Sequence, residues 1–317
     1  MKIGSNDEFQ EIENLAVQQP SSFHGIQEWL VRQGVNGILP LRRLWPALDV
    51  EPRPRNGRLA IEVVSHCWNY SHLLEYQLGA LAAHPPKEVD LTMTVYFSRE
   101  DERTARLLER ASKERIEGVR WSWRALRPEH LFRRSIGRNH AALSTKADWI
   151  WFTDCDLLFE EGCLDALGGV LQGRTDPLVY PRIERLTSLL SDEAVASAEE
   201  PRLRPLGTDF EFADVPVTRA KGPLQITHGD VARTMGYCRD LAVYQRAEDS
   251  FAKCREDRAF RWLLGTQGTP LDLPGVARIR HLSKGRYSER GTEVAVRSSM
   301  RRLQERLRDL QGTSPSS

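Results

Sequence analysis

From residue 59 onward, short and nearly unbroken apolar runs alternate with segments whose apolar positions recur at helical spacing. Leu59–Ser65 (LAIEVVS), Leu91–Ser98 (LTMTVYFS), Val119–Ala125, Trp149–Thr153 (WIWFT) and Leu178–Ile183 have the pattern of buried strands. Between them Ser71–Ala83, Glu100–Lys113, Ser135–Ser144 and Glu161–Leu171 have the pattern of helices. Strands alternating with helices predict an α/β fold: a mostly parallel sheet with helices on both faces. Further on, Leu224–Thr227 reads as a strand leading into a helix near Asp230, and Arg255–Leu264 as a helix ended by Gly265. Residues 186–220, rich in Ser, Ala, Glu, Pro and Arg, read as an excursion from this rhythm.

The flanks differ from the body. Residues 1–58 keep no steady period; a short amphipathic helix is expected over Ser22–Gln33, and Glu51–Gly57 is a turn-rich linker. At the other end, Thr292–Leu310 places Val296, Met300, Leu303, Leu307 and Leu310 on one stripe, with arginines elsewhere. The expected organisation is an N-terminal extension (1–58) and a central domain (59–285), followed by a basic helix and tail (286–317). The central domain would divide into halves at about 59–184 and 185–285. The final helix is expected to pack on the body, with self-association through it as an alternative and contact with anionic lipid as a less favoured one.

Composition narrows the function classes. The 317 residues carry 45 Lys plus Arg against 44 Asp plus Glu, so bulk electrostatic binding of nucleic acid is not expected. That balance hides a division: Arg278–Leu310 holds ten basic and four acidic residues, net +6, which leaves the remainder at −5. No run is long and apolar enough to cross a bilayer, and the first residues lack the apolar core of a secretory signal. Five cysteines without a CxxC pair fit reduced thiols, and a cytoplasmic location is expected.

The densest candidate chemistry is Asp154-Cys155-Asp156 at the tip of the WIWFT strand. In open α/β sheets, ligands bind beyond the carboxyl ends of the strands. Two carboxylates there suit Mg²⁺ or Mn²⁺ shared with substrate phosphates; the alternative is a pair of acids capping the next helix.

Four segments in order give the chain a family resemblance. They are Ile61–Ser65 with Cys67-Trp68-Asn69; Gly137–Ala142 with Ala147–Ile150; Asp154-Cys155-Asp156; and Arg255–Gly265, which contains Glu256-Asp257. Over roughly residues 59–285 the chain resembles a glycosyltransferase of the GT-A fold, a Rossmann-like α/β domain, most like the inverting family 2 with its Asp-x-Asp motif. The resemblance implies sugar transfer from a nucleotide-diphosphate sugar, a UDP-sugar for preference, to a carbohydrate or glycoconjugate hydroxyl, with inversion and with Mn²⁺ or Mg²⁺.

By resemblance, Asp156 is a direct metal ligand, Asp154 lies nearer the ribose and a metal-bound water, and His281 is a third ligand. Asp257 is then the general base and Glu256 an orienting or acceptor-binding group. Ser65, Asn69, Arg138, Gln225, Lys284 and Arg286 are expected at the nucleotide sugar. An acidic residue that many relatives carry soon after the second strand is displaced by two positions or absent here. His228 and Asp230 are candidates to cap the next helix, with Asp230 preferred. The alternative enzyme classes are a phosphatase or a nucleotidyltransferase using the same carboxylates. In a haloacid-dehalogenase-like phosphatase Leu158 stands where Thr is usual, and the glycine-rich loop of a sugar nucleotidyltransferase is replaced by His66–Tyr70. An inactive binding protein of the same fold is a further alternative, which intact acids at 154, 156 and 257 disfavour.

Overall fold

The structure, a computed structural model, describes residues 9–12, 22–44, 48–191, 194–195, 200–205, 210–249 and 255–282. Lys284, Arg286 and the expected C-terminal helix therefore lie outside the described residues. Every strand and helix expected between 59 and 183 is present, with ends shifted by no more than two residues.

In chain order the strands and helices are β1 (Phe9–Glu11), α1 (Ser22–Val35), β2 (Ala60–His66), α2 (Ser71–Ala83), β3 (Asp90–Phe97), α3 (Glu102–Ala111), β4 (Val119–Ala125), α4 (Pro128–Leu131), α5 (Arg134–Ser144) and β5 (Trp149–Phe152). They continue with β6 (Leu157–Phe159), α6 (Cys163–Val170), β7 (Leu178–Pro181), β8 (Ile183–Leu190), β9 (Phe212–Pro216), β10 (Gln225–His228), α7 (Gly229–Met235), α8 (Glu256–Leu264), β11 (Thr269–Leu271) and β12 (Val276–His281).

The main sheet has the order β1-β4-β3-β2-β5-β10-β7-β11, parallel except where β10 runs against both of its neighbours. Its two central parallel strands are mostly apolar because both faces are covered: Ile61, Val63, Val64, Trp149, Ile150, Trp151 and Phe152 are all fully buried. The fold is thus α/β, with a mostly parallel sheet flanked by helices. Part of the 186–220 region is ordered as sheet. β8 and β9 pair antiparallel within a second sheet of order β6-β12-β8-β9. At the start of β8 a charge is matched across the fold: buried Glu184 meets Lys221 and Arg278, each at 2.9 Å.

The N-terminal extension is tied to the body. β1 adds a parallel edge strand beside β4, and Val31 and Val35 of α1 enter the core. At Gly34 a side chain would press on the Trp262 ring of α8, so glycine permits that close approach. Among the described residues no helix is long and apolar enough to cross a membrane.

Candidate active site

After β5 the chain turns sharply at Asp154–Leu157, with the Leu157 amide donating to the Asp154 carbonyl at 3.1 Å. A buried glutamine on α2 secures this turn. Gln77 donates its amide to the Asp154 carbonyl (3.0 Å) and the Leu157 carbonyl (2.7 Å), and accepts from the Ser65 hydroxyl (2.7 Å). Ser65 is wholly buried. Its hydroxyl braces the acidic turn from within the protein.

Asp154 faces helix α5. Arg134 donates to Asp154 Oδ1 at 2.5 Å and Arg138 at 3.3 Å; one turn apart, the two arginines share a helix face. Arg134 also reaches Glu256 at the start of α8, at 3.0 Å. The guanidinium of Arg134 thus spans the Asp-x-Asp turn and the Glu256-Asp257 helix. Arg138 is fully buried beneath it and donates to the Tyr237 hydroxyl at 3.0 Å. That hydroxyl donates to Gln225 Oε1 (2.7 Å), and Gln225 donates to the carbonyls of Ala220 (3.2 Å) and Asp257 (3.0 Å). Burial pushes the Tyr237 phenol well above its ordinary pKa, so it remains a neutral donor. Gln225, wholly buried, is a link in this chain.

Asp156 points the other way. β6 pairs antiparallel with β12, Leu157 opposite Arg278, and the Ile279 amide donates to the Asp156 carbonyl at 3.0 Å. That register carries the end of β12 past the acidic turn. His281 Nε2 stands 3.9 Å from Asp156 Oδ2, both side chains buried, with Tyr70 edge-on to the imidazole at 5.3 Å between centroids. Two such ligands suit an Mg²⁺- or Mn²⁺-type ion, which takes one or two protein groups and fills its other positions with water and substrate phosphate. Among the described residues no group of three His, Cys, Asp or Glu side chains is placed to hold a metal. Of the expected set, Asp156 and His281 come together, while Asp154 is committed to arginines.

On α8, Asp257 accepts from the Gly222 amide and from Arg261 Nη1, both at 3.2 Å and both on Oδ2. Oδ1 makes no hydrogen bond among the described residues, and the side chain is 29% exposed. Asn69 is exposed with a φ of +58°, and its amide donates to Asp101 at 2.6 Å. Asp101 also caps α3 through the Thr104 amide at 3.1 Å. The acid following the second strand therefore anchors the loop after the first. His228, not Asp230, caps α7: its ring accepts from the Asp230 amide at 3.2 Å. Asp230 instead accepts from the Arg53 amide (3.0 Å) and from Arg233 (2.6 Å).

Two residues here had no reading in the sequence. Arg134 sits four positions before Arg138, and that spacing alone hinted at it. His66 is buried and stacked on Tyr96 at 4.9 Å, with Gly137 leaving it room. Burial, and then the charges of Arg138 and Arg134, push its pKa well below the ordinary value, so the imidazole is neutral. The described cysteines (67, 155, 163 and 238) are buried; a hydrogen bond with Cys67, then burial, raises the Cys155 thiol.

No protein family matches the chain by sequence, and no curated protein does. Solved structures similar to it include a mannosyltransferase, PcManGT from Pyrobaculum calidifontis, in complex with GDP-Man and Mn²⁺. It is 15% identical over 91% of this chain and 76% of that one, with a TM-score of 0.42. TarS 1-349 of S. aureus is 14% identical over 71% and 58% of the two chains (TM-score 0.38). The glycosyltransferase GlyE of Streptococcus pneumoniae is 14% identical over 68% and 46% (TM-score 0.37). With TM-scores below 0.5, a functional reading has to come from the site itself.

Proposed function

We propose that the protein is a metal-dependent glycosyltransferase of the GT-A type, transferring a sugar with inversion from a nucleotide-diphosphate sugar to an acceptor hydroxyl. The observation that carries this is the buried Asp156–His281 pair, 3.9 Å apart at the carboxyl end of β5. It is joined through Asp154, Arg134 and Glu256 to a half-buried Asp257 with one carboxylate oxygen open. Asp156 and His281 would hold Mn²⁺ or Mg²⁺. When bound, that ion neutralises charge developing on the leaving diphosphate.

The remaining roles belong to the chain's own groups. Gly222 and Arg261 fix the Asp257 carboxylate through Oδ2, leaving Oδ1 to accept the proton of the attacking acceptor hydroxyl. Arg134 and Arg138 hold Asp154 in place, and Gln77 sets the turn that presents Asp156. Asn69, in the exposed loop anchored by Asp101, is the nucleotide-facing candidate of the first strand end. A UDP-sugar donor, a carbohydrate or glycoconjugate acceptor and a cytoplasmic site of action complete the proposal. An aspartyl-phosphate route is disfavoured because Asp154 is engaged by two guanidinium groups.

The test combines binding and turnover. The protein is mixed with Mn²⁺ and a panel of nucleotide sugars, and thermal stabilisation and slow donor hydrolysis are followed. Metal-dependent stabilisation by a nucleoside diphosphate, abolished by Asp156→Ala, is expected. Asp257→Asn should keep donor binding and lose transfer. Absence of stabilisation by every nucleotide, with metal present, refutes the proposal.

A further inference from the structure

Beside Arg261, which donates to Asp257 at 3.2 Å, lies an open cavity of about 370 Å³ lined by Thr218, Arg219, Arg258, Arg261 and Gln267. Its size is within the range of small-ligand sites, and its wall is unusually cationic. Arg258 and Arg261 project from neighbouring positions of one helix face, α8, and Arg219 comes from the segment leading to Gly222.

The three arginines are not equivalent. Arg261 is buried and committed: it donates to the Ala220 carbonyl at 2.6 Å, to Gln267 at 3.2 Å and to Asp257 at 3.2 Å. Arg219 and Arg258 are exposed, and among the described residues neither has an ion-pair partner. Asp257, behind Arg261, offsets one of the three guanidinium charges and leaves two of them unmatched on the wall. A carboxylate ligand would satisfy only part of that charge. A phosphate monoester carries about −1.5 to −2 at neutral pH, with three acceptor oxygens that planar guanidinium forks bind in pairs. Thr218 and Gln267 add neutral polar groups to the lining.

We infer that this cavity binds a phosphate group carried by the acceptor, so that the substrate receiving the sugar is a phosphorylated compound. This rests on the glycosyltransferase proposal, because Asp257 is the group that links the cavity to the transferred sugar. Arg261 has a double task there: it fixes the general base through Oδ2 and forms one wall of the phosphate site. An acceptor anchored by its phosphate at Arg219 and Arg258 would lie beside Arg261, whose guanidinium donates to Asp257 at 3.2 Å.

The probe is inorganic pyrophosphate, titrated by calorimetry into the full chain with EDTA present, which keeps it from binding through a metal at Asp156. Saturable binding that weakens with added salt is expected. Arg219→Gln with Arg258→Gln should weaken it about tenfold, the loss expected for exposed charge-assisted contacts worth about 1.4 kcal/mol together. Both side chains are exposed, so folding should survive, and an unchanged melting temperature checks this. Arg219→Lys with Arg258→Lys should keep part of the affinity. Asp156→Ala should leave pyrophosphate binding unchanged while removing metal-dependent nucleotide binding.

The two proposals fail separately. Nucleotide binding without any pyrophosphate binding, or pyrophosphate binding indifferent to the double substitution, overturns the phosphate site alone. Pyrophosphate binding through Arg219 and Arg258 without any metal-dependent nucleotide binding overturns the transferase and leaves an anion site. Displacement of pyrophosphate by a hexose phosphate assigns the group to a soluble acceptor. Displacement only by phosphatidylcholine vesicles containing phosphatidic acid assigns it to a lipid-borne one.

Discussion

Arg134→Met is the most informative change in the protein. The guanidinium donates to Asp154 at 2.5 Å and to Glu256 at 3.0 Å, and Glu256 is only 2% exposed. A hydrogen bond to a charged partner contributes about 1.5–3 kcal/mol, more than a neutral one. Asp154 keeps Arg138, so the full worth of both bonds is not lost; about 3 kcal/mol is expected for the substitution. With an unfolding entropy of about 2.1 cal/mol/K per residue over 317 residues, that is a fall in melting temperature of about 4–5 °C. The stronger form of the test is a cycle of Arg134→Met, Glu256→Gln and the double variant in urea. If the two side chains act on each other, the double variant should lose less than the sum of the singles by about 1.5–3 kcal/mol. Additivity within about 0.5 kcal/mol would refute the bridge and, with it, the physical link between the acidic turn and α8.

Other perturbations follow from the same geometry. Gly79→Ala places a methyl group closer than 3.0 Å to the backbone of Arg204, which cannot rotate away as a side chain would. About 1–3 kcal/mol of destabilisation is expected, with faster proteolysis within residues 200–205. The neutral burial of His66 fixes a sign for acid behaviour. Its folded pKa is depressed, so the unfolded chain binds the proton first. Its contribution is therefore complete above the ordinary histidine pKa of about 6.5 and is lost as pH falls below it, at up to about 1.4 kcal/mol per pH unit. His66→Asn should flatten that dependence in denaturation curves taken between acid and neutral pH. Gln77→Leu removes the brace from the Asp154 and Leu157 carbonyls. It should cost about 1–3 kcal/mol of stability for the two orphaned acceptors and weaken Mn²⁺ binding in the presence of a nucleoside diphosphate.

What the sequence made legible was local. Trp149–Phe152 reads as a buried strand because nothing polar interrupts it, and Asp154 and Asp156 are conspicuous for following it. β8 escaped notice for the opposite reason. Glu184 and Arg185 break the apolar run, and what makes a buried Glu184 tolerable is Lys221 and Arg278, far away in sequence. Arg134 was hidden for a similar cause: its partners lie 20 and 122 positions on, and only the folded sheet brings them to one helix face. Ser65 and Gln225 sit where the sequence placed them, at strand ends beside the acids. Their polar atoms nevertheless serve the scaffold, because a buried hydroxyl or amide must first satisfy its own hydrogen bonds. His281 was reached through the family resemblance, but its approach to Asp156 depends on the β6–β12 register, which a linear pattern does not carry.

The most direct test of the central claim is the binding of Mn²⁺ followed by electron paramagnetic resonance, with and without a nucleoside diphosphate. Asp156 and His281 as shared ligands predict a bound-Mn²⁺ spectrum that strengthens when the diphosphate is added and is lost in both Asp156→Ala and His281→Ala. Mn²⁺ and diphosphate that bind the His281→Ala and Asp156→Ala proteins as well as the unaltered one would contradict it.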